Sequence, residues 1–413
     1  MPANRLIAGM ARSYIRCYRM HSFASRLIAW QRQHGRHDLP WQSADAYRVW
    51  LSEIMLQQTQ VASVIPYYQR FITAFLNIAA LAAATEDEVL AHWSGLGYYA
   101  RGRNLHKAAR IVVEKFNGEF PRNFEDILEL PGIGRSTAAA ICALAFHERR
   151  AILDGNVKRV LGRYCGIEGW AGNKQVEETL WQQAESLLPA SPRPAGEITS
   201  DLAGVVCQPS RMASSSIRVR ERGGFDTDIA TYTQALMDLG ATVCTRSRPR
   251  CAACPVQADC VAVQTDRIAE LPTPRPKKAV PERHATFLLL MHGNDILLEK
   301  RPGSGIWGGL WCPPQFADED AARDWCERQG IKTRHSGAGR NPANSKNQCE
   351  ALPTFTHTFT HFKLHITPLK IELARKPLVV AQPGMLWLEV GEALGAAIPT
   401  PVRKVLEQLD RSS

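Results

Sequence analysis

The chain has 413 residues, 45% of them apolar, which fits two domains with separate hydrophobic cores better than a single domain. Lysine and arginine (50) outnumber aspartate and glutamate (40), and the net charge of +10 favours a polyanionic partner such as nucleic acid, although an ordinary basic protein has the same balance. No apolar run approaches the roughly 18 residues of a membrane span, and most of the eleven cysteines are scattered, which excludes the disulfide framework of a small secreted domain.

Residues 1–21 form a candidate N-terminal extension with several arginines and no acidic residue. A transit peptide has this composition, and so does an upstream leader that precedes a true start at Met20. Because Met20–Trp41 already has the pattern of the fold, we favour the leader and expect residues 1–21 to be disordered or wrongly included.

Apolar residues at three- and four-residue spacing predict an all-α domain over residues 22–270. The predicted helical segments are 46–75, 86–92, 105–116, 124–129, 136–145, 156–164 and 228–239. Residues of about 190–226, rich in Pro, Ser, Gly and Arg, lack this period and are predicted to be a surface insertion.

The segment 49–60 (VWLSEIMLQQTQ) contains a single acid, Glu53, among apolar neighbours. Apolar surroundings favour the neutral carboxyl, which is the form a general acid needs at neutral pH. The alternative is an acid on a solvent-exposed face. The glutamines that follow, Gln58 among them, can enter a base stack or bond an unpaired base, or be ordinary surface residues.

Two glycine-containing turns have compositions that suit nucleic acid. The segment 93–104 (WSGLGYYARGRN) places Tyr98 beside a second aromatic and two arginines, which suits base stacking with phosphate contact but is also typical of a packed turn. In the segment 130–138 (LPGIGRSTA), Gly132 and Gly134 permit a tight turn that points backbone N–H groups outward at a helix start. Flanked by helices, this segment predicts a helix-hairpin-helix that grips one DNA backbone without reading sequence.

Asp154 lies in the segment 153–157 (LDGNV), directly before a predicted helix. Aspartate is a preferred N-cap, and that structural role alone is enough to explain the residue. A carboxylate at a helix start also stays ionised, so the cap is compatible with catalysis.

Four cysteines fall within 17 residues: Cys244, Cys251, Cys254 and Cys260. Four thiolates at this spacing can hold structural zinc or an iron–sulfur cluster, and the thiolate chemistry alone does not choose between them. Arginines in the first loop, including Arg246, suit phosphate contact, or are merely solvated.

A Pro- and Lys-rich linker at 271–282 precedes a second domain over 283–411. Its strand-like segments are 284–291, 295–300, 358–373 and 385–389, and its helical segments are 317–329 and 401–409. This pattern predicts an α/β or α+β domain. Residues of about 334–350 are predicted to be a second insertion.

In this order, the motifs resemble those of the helix-hairpin-helix DNA glycosylases, and specifically the MutY-type adenine DNA glycosylase family. The resemblance covers about Met20–Leu188 and Thr227–Ile268 and implies an all-helical catalytic domain split by a cleft. It implies a [4Fe–4S] cluster on the four cysteines rather than zinc, with Glu53 as proton donor and Asp154 as stabiliser of the transition state.

The related endonuclease III-type lyases share these motifs but place a Schiff-base lysine where this chain has Ser136. Ser136 therefore implies a monofunctional glycosylase, and a bifunctional glycosylase/lyase is the alternative. The DNA contacts that the resemblance implies are Gln58, Tyr98, Gly132, Gly134, Arg135, Ser136, Lys158 and Arg246.

The second domain resembles a Nudix fold, with the Nudix box laid on residues 309–331. Glycines, Arg323 and Glu327 match, whereas the metal-holding acids of Nudix hydrolases are replaced by Gln315, Asp324 and Arg328. A recognition role is therefore expected rather than hydrolysis.

The triplet Phe359-Thr360-His361 is similar to the family's Phe-Ser-His loop, which inspects 8-oxoguanine opposite the target base. Thr360 keeps the hydroxyl of the serine. A duplicate triplet at 355–357 leaves the register open.

These features together predict a monomeric, cytoplasmic and nucleoid-associated enzyme with no membrane contact, acting on duplex DNA with adenine opposite 8-oxoguanine or guanine. The rival from another class is a catalytically silent DNA-binding protein or a Nudix-type nucleotide hydrolase. Glu53 with Asp154 argues against silence, and the altered box argues against hydrolysis.

Overall fold

The computed structural model describes residues 23–189, 227–276, 279–331, 333–334, 347–377 and 384–411. They form two compact units. The first unit contains the described residues up to Glu53, Pro121–Glu129 and Ile133–Pro276, and the second contains Ile54–Phe120, Leu130–Gly132 and the described residues after Lys277. The predicted extension 1–21 and the predicted insertion 190–226 lie outside the described residues.

The first unit is helical. Its helices are α1 (23–34), the first part of α2 (Ala46–Leu56), α7 (Phe124–Leu128), α8 (Arg135–Ala145), α9 (Gly155–Tyr164), α10 (Lys174–Ser186), α11 (Thr227–Asp238) and α12 (Val261–Gln264). Polar N-caps fix several starts: the side chains of Asn123, Asp154 and Asn173 each accept a backbone N–H of the first turn. A π-turn at Leu239–Val243 leads into the cysteine loop.

The second unit joins helices α3 (Val61–Ala74), α4 (Ile78–Ala83), α5 (Glu86–Trp93) and α6 (Ala100–Phe116) to a sheet. Thr85 and Glu88 form a capping box at the start of α5. Ser94, just after α5, donates its hydroxyl to the carbonyl of Ile398 at 2.7 Å and accepts from Arg403 at 3.1 Å, which ties this helix to the C-terminal part of the chain.

The helical stretch predicted over 46–75 is divided in the structure. Helix α2 ends at Leu56 and α3 begins at Val61. Gln58 adopts a left-handed φ of 56°, which an α-helix cannot contain, and the carbonyls at the end of α2 are bonded by Arg101 instead. Periodicity along the chain carries no information on that distant arginine.

The sheet has the order β3-β2-β1-β8-β6-β5, with β4 on β1, β7 on β8 and β9 on β2. The strands are β1 (Glu282–His292), β2 (Asp295–Lys300), β3 (Trp311–Cys312), β4 (Gln315–Phe316), β5 (Thr333–Arg334), β6 (Asn347–Ala351), β7 (Phe355–Thr358), β8 (Lys363–Glu372) and β9 (Met385–Glu389). Helices α13 (Glu319–Arg328), α14 (Val390–Gly395) and α15 (Thr400–Asp410) accompany them. The central pair, β1 and β8, is parallel from Glu282↔Lys363 to Met291↔Glu372.

The core explains the sequence pattern of these strands. Residues Ala285–Met291 of β1 are all buried, as expected for a strand that is covered on both faces, whereas β8 largely alternates. One cluster packs Leu288, Leu290, Leu369 and Ile371 against Cys326 of α13. The second domain is therefore α/β, as predicted.

Two predicted segments differ in their limits. The strand predicted over 358–373 begins at Lys363, because Phe359–Phe362 form a turn closed by a 2.9 Å bond from the Phe359 N–H to the Phe362 carbonyl. The insertion predicted at about 334–350 overlaps β5 and β6, since Cys349 is buried and pairs with Ile371 of β8. Residues 335–346 lie outside the described part of the chain. No helix in the described residues is long and apolar enough to cross a membrane.

Candidate active site

Asp154 is the N-cap of α9 in the first unit. Its Oδ1 accepts the backbone N–H of Val157 at 2.7 Å, so the predicted structural role is present. The buried run Ala151–Leu153 leads to it, and the N–H of Leu153 donates to Ser136 Oγ at 2.9 Å. The start of α8 is thereby tied to the residue that precedes the carboxylate.

Glu53 lies on α2 and is partly buried between Ser52 and Ile54, which are both buried. Burial, together with the negative charge of Asp154, raises the pKa of Glu53 from 4.5 to about 8. Among the described residues, no side chain donates a hydrogen bond that would offset this burial.

Asp154, the carboxyl whose charge acts on Glu53, is in a different environment from Glu53. Burial raises its pKa, but the N–H groups of Val157 and Asn156 and the charge of Arg159 act in the opposite direction. Hydrogen bonds to a carboxylate and a helix N-terminus both favour the ionised form. When two interacting carboxyls share one proton, it belongs on Glu53, so the site holds one neutral acid and one carboxylate at neutral pH.

A chain of hydrogen bonds joins Asp154 to the cysteine loop. Asn156 Nδ2 lies 3.4 Å from Asp154 Oδ2, and Arg159 Nη2 donates to Asn156 Oδ1 at 2.8 Å. Arg159 Nε donates in turn to the carbonyl of Cys244 at 2.7 Å. One helix, α9, therefore carries both the carboxylate and its link to the loop.

The four predicted cysteine ligands line one cavity, together with apolar residues such as Val160 and Leu239. Arg163 Nη1 donates to Cys244 Sγ at 3.4 Å, and the Cys260 thiol donates to the Arg163 carbonyl at 3.6 Å. Burial raises the pKa of Cys254 to about 11, so free thiols would stay protonated there and a cationic centre would be needed to hold four thiolates. In the described residues, no group of three or more His, Cys, Asp or Glu side chains is placed to hold a metal ion. The thiols border a shared cavity, which fits a multi-atom cluster.

One of the two hairpin glycines, Gly132, is required for steric reasons. Gly132 has a φ of +84°, and a Cβ added there would lie 2.9 Å from the Cβ of Asn104. Gly134 is the N-cap of α8 and has open space around it. Gln57 Nε2 donates to the Gly132 carbonyl at 3.3 Å.

The predicted basic DNA contacts differ in their surroundings. Arg135 pairs with Glu185 at 2.6 Å and lies 3.9 Å from the centroid of the Trp181 ring, and Lys158 pairs with Glu177 at 2.6 Å. Contact with phosphate would require these two to exchange partners. Arg246 and Gln58 are exposed.

Tyr98 and the predicted triplet 359–361 both lie in the second unit, where Tyr98 contacts Thr360. Tyr98 is 46% exposed with a left-handed φ of 48°, and its hydroxyl lies 3.3 Å from Thr360 Oγ1. The triplet 359–361 occupies the turn between β7 and β8, where Thr360 and His361 are exposed and Phe359 stacks on Phe362 at 4.4 Å. The duplicate triplet lies within β7, where Thr356 bonds His365 and His357 is partly buried against Trp307. Of the two triplets, 359–361 is therefore the one in an exposed turn, and 355–357 lies in a strand.

Sequence reasoning missed three positions: Arg101, Asn156 and Arg159. Arg101 could have been found, because it lies on the same helical face as Leu105, Ala108 and Val112. A charged residue on an apolar helical face is unusual and points to a specific buried contact. Arg159 has no such signal, because the carbonyls of Gly240 and Cys244 that it bonds are more than 80 residues away. Asn156 bonds Asp154 and Arg159, which are close in sequence, but nothing in the sequence marks it as their link.

Residues 51–186 match the family described as HhH-GPD superfamily base excision DNA repair protein, and residues 285–408 match the NUDIX domain family. The chain is 35% identical over 392 residues to the adenine DNA glycosylase of Buchnera aphidicola subsp. Acyrthosiphon pisum, covering 94% of this chain and 98% of that one. It is 33% identical to the adenine DNA glycosylase of Mus musculus, covering 94% of this chain and 78% of the relative. A solved structure of a thermostable thymine-DNA glycosylase aligns with a TM-score of 0.46 and 26% identity, over 60% of this chain and 98% of that chain.

The chain therefore belongs to the adenine DNA glycosylase family. The family and the two-part fold class predicted from sequence, a helix-hairpin-helix glycosylase domain followed by a Nudix-like domain, are confirmed.

Proposed function

We propose that this chain removes adenine from duplex DNA by hydrolysing its N-glycosyl bond, with 8-oxoguanine or guanine as the opposing base. The proposal rests on the contrast between two neighbouring carboxyls. Burial and the charge of Asp154 raise the pKa of Glu53 to about 8, whereas the hydrogen bonds and the arginine around Asp154 oppose the effect of burial on its pKa. Curated relatives named adenine DNA glycosylase support adenine as the base. We also propose that the protein acts as a monomer in the cytoplasm, associated with the nucleoid.

The proposed reaction begins with extrusion of adenine from the stack, with Tyr98 and Gln58 entering the space it leaves. Glu53 donates its proton to N7 of adenine, and the C1′–N9 bond breaks with its electron pair passing to the base. The sugar is left with oxocarbenium character, which the Asp154 carboxylate stabilises. Water then adds to C1′ and gives its proton to the Glu53 carboxylate, which restores the starting state.

Ser136 supports hydrolysis without strand cleavage. Its hydroxyl accepts the N–H of Leu153, and it has no amine to form a Schiff base. A duplex with adenine opposite 8-oxoguanine should give free adenine and a strand that breaks only after alkali. Strand cleavage without alkali, together with a borohydride-trapped adduct, would instead support the bifunctional alternative.

We further propose that the turn 359–361 reads the opposing base. Thr360→Val removes one hydroxyl and keeps the shape, so the preference for 8-oxoguanine over guanine opposite adenine should fall by about tenfold. Single-turnover excision on the two duplexes measures this preference. The matched control is Thr356→Val in the duplicate triplet, which should keep the preference. A loss in the control but not in Thr360→Val would move the reading site to 355–357.

We propose that Cys244, Cys251, Cys254 and Cys260 hold a [4Fe–4S] cluster, as the cavity and the family both favour. Together these cysteines would hold the cluster, which would supply a structural link that fixes the loop bearing Arg246. Cys254→Ser should abolish the broad visible absorbance of the purified protein and weaken duplex binding at least tenfold, because the loop loses one ligand. Cys165→Ser, a cysteine outside the cavity, is the control. Full absorbance and iron content in Cys254→Ser would rule out the assignment.

A further inference from the structure

Arg101 is a buried cation without a carboxylate partner among the described residues. It begins the buried face of α6 and is 8% exposed. Burial lowers its pKa to about 10, opposed by Tyr98. Its Nε is buried and has no hydrogen-bond partner in the part of the chain that the structure describes. Burying a charge in this way is costly, and such sites persist where another requirement outweighs stability.

The guanidinium is held by carbonyls from two separate turns. Nη1 donates toward the carbonyls of Met55 at 2.7 Å and Gln57 at 2.6 Å, at the end of α2, and lies 3.0 Å from that of Ile54. Nη2 donates to the Gly97 carbonyl at 3.2 Å. It also reaches Thr59 Oγ1 at 3.0 Å.

Two of these carbonyls occupy equivalent positions in their turns. Gln57 precedes Gln58, and Gly97 precedes Tyr98; the second residue of each pair has a left-handed φ, 56° and 48° respectively. The carbonyl of one residue belongs to the peptide plane that sets φ of the next. Non-glycine residues rarely adopt this conformation, so something must hold each plane.

We infer that Arg101 is a positioning residue that presets both intercalating side chains, Gln58 and Tyr98, before DNA arrives. The rigid guanidinium bonds both peptide planes, so Gln58 and Tyr98 are fixed relative to each other. The guanidinium also lies 5.3 Å from the centroid of the Tyr98 ring, which restrains the ring itself. This inference rests on the proposed function, because the wedges matter only if a base is extruded.

A purely structural role makes a different prediction. If Arg101 only closed the end of α2, its loss would lower activity on every substrate alike. If it presets the wedges, the loss should depend on how much extrusion the substrate needs. An adenine in a single-base bulge is unpaired and needs little extrusion, whereas a paired adenine needs all of it.

The test compares Arg101→Lys and Arg101→Gln in the full-length protein on a mispaired and a bulged adenine. We expect single-turnover excision of the mispaired adenine to fall by roughly 30- to 100-fold, and that of the bulged adenine by less than about threefold. The same variants should slow the fluorescence rise of 2-aminopurine placed at the target position, which reports unstacking without excision. Arg110→Lys, exposed on the same helix, is the control and should change nothing.

A double-mutant cycle completes the test. In a Gln58→Ala/Tyr98→Ala background, Arg101→Lys should add no further loss, because the side chains it presets are gone. Equal loss on mispaired and bulged adenine, or full additivity in the cycle, would overturn the inference. A wild-type protein that unstacks 2-aminopurine but releases no adenine would contradict the proposed reaction. The fluorescence measurement would then still test the role of Arg101.

Discussion

Glu53→Gln is expected to lower single-turnover excision of adenine by roughly 10²–10⁴-fold while duplex binding stays within about twofold. Glutamine keeps the size and polarity of the side chain but has no proton to give to N7. Rates and binding constants on one mispaired duplex separate the two effects. Glu114→Gln, an exposed acid on α6, is the matched control. Undiminished turnover in Glu53→Gln would remove Glu53 from the mechanism.

The same variant should be more stable than the wild type. Because the pKa of Glu53 is raised to about 8 in the folded state, the folded protein resists an ionisation that the unfolded chain undergoes near pH 4.5. The resulting penalty is absent below pH 4.5, grows as the pH rises, and reaches at most about 3 kcal/mol at pH 7. The melting temperature of Glu53→Gln should thus exceed that of the wild type at pH 7 and match it at pH 4.5. A lower melting temperature at pH 7 would contradict the burial of the carboxyl.

Asp154→Asn is expected to lower excision by roughly 10²–10³-fold, because the cationic sugar loses its stabilising carboxylate. Asparagine is as good an N-cap as aspartate, so α9 should keep its start and the protein its stability. Asp318→Asn at the start of α13 makes the same exchange at another N-cap and should leave excision unchanged. A loss of folded protein in Asp154→Asn would indicate a structural role alone.

The residual activity of Asp154→Asn also carries a pH signature. The negative charge of Asp154 is one of the two causes that raise the pKa of Glu53, so its removal should lower that pKa. In the wild type, excision should decline as the pH rises through about 8, and in the variant the decline should begin at lower pH. Identical midpoints in the two profiles would mean that the carboxyls do not interact.

The features that could be predicted from the sequence are those that depend on residues close together along the chain. Asp154 is the N-cap that its position before a helix predicts, and Gly132 has the left-handed φ of the predicted turn. The proposed cluster ligands could be listed because the four cysteines are close in sequence. The alternation in β8 and the continuous burial of β1 likewise follow from neighbouring positions. The fold class follows from patterns of this kind.

What could not be predicted depends on partners far along the chain. Arg101 bonds residues 42–47 positions away, and Arg159 reaches the cysteine loop across 85 positions. The first of these contacts lies at the break between α2 and α3. The apolar neighbours of Glu53 in the sequence indicated that burial would raise its pKa. They did not indicate the second cause, the charge of Asp154, which lies about a hundred residues later.

The contact between Tyr98 and Thr360 has a consequence for how such an enzyme searches a genome. Most adenines in DNA are paired correctly with thymine, and opening each of them would waste time and risk damage. The hydroxyl of the wedging tyrosine lies 3.3 Å from that of the threonine in the turn between β7 and β8. In the proposed function, Tyr98 opens the strand that carries the adenine and contacts Thr360, in the turn that reads the base on the other strand. Adenine paired with thymine can therefore be rejected before it is extruded from the helix.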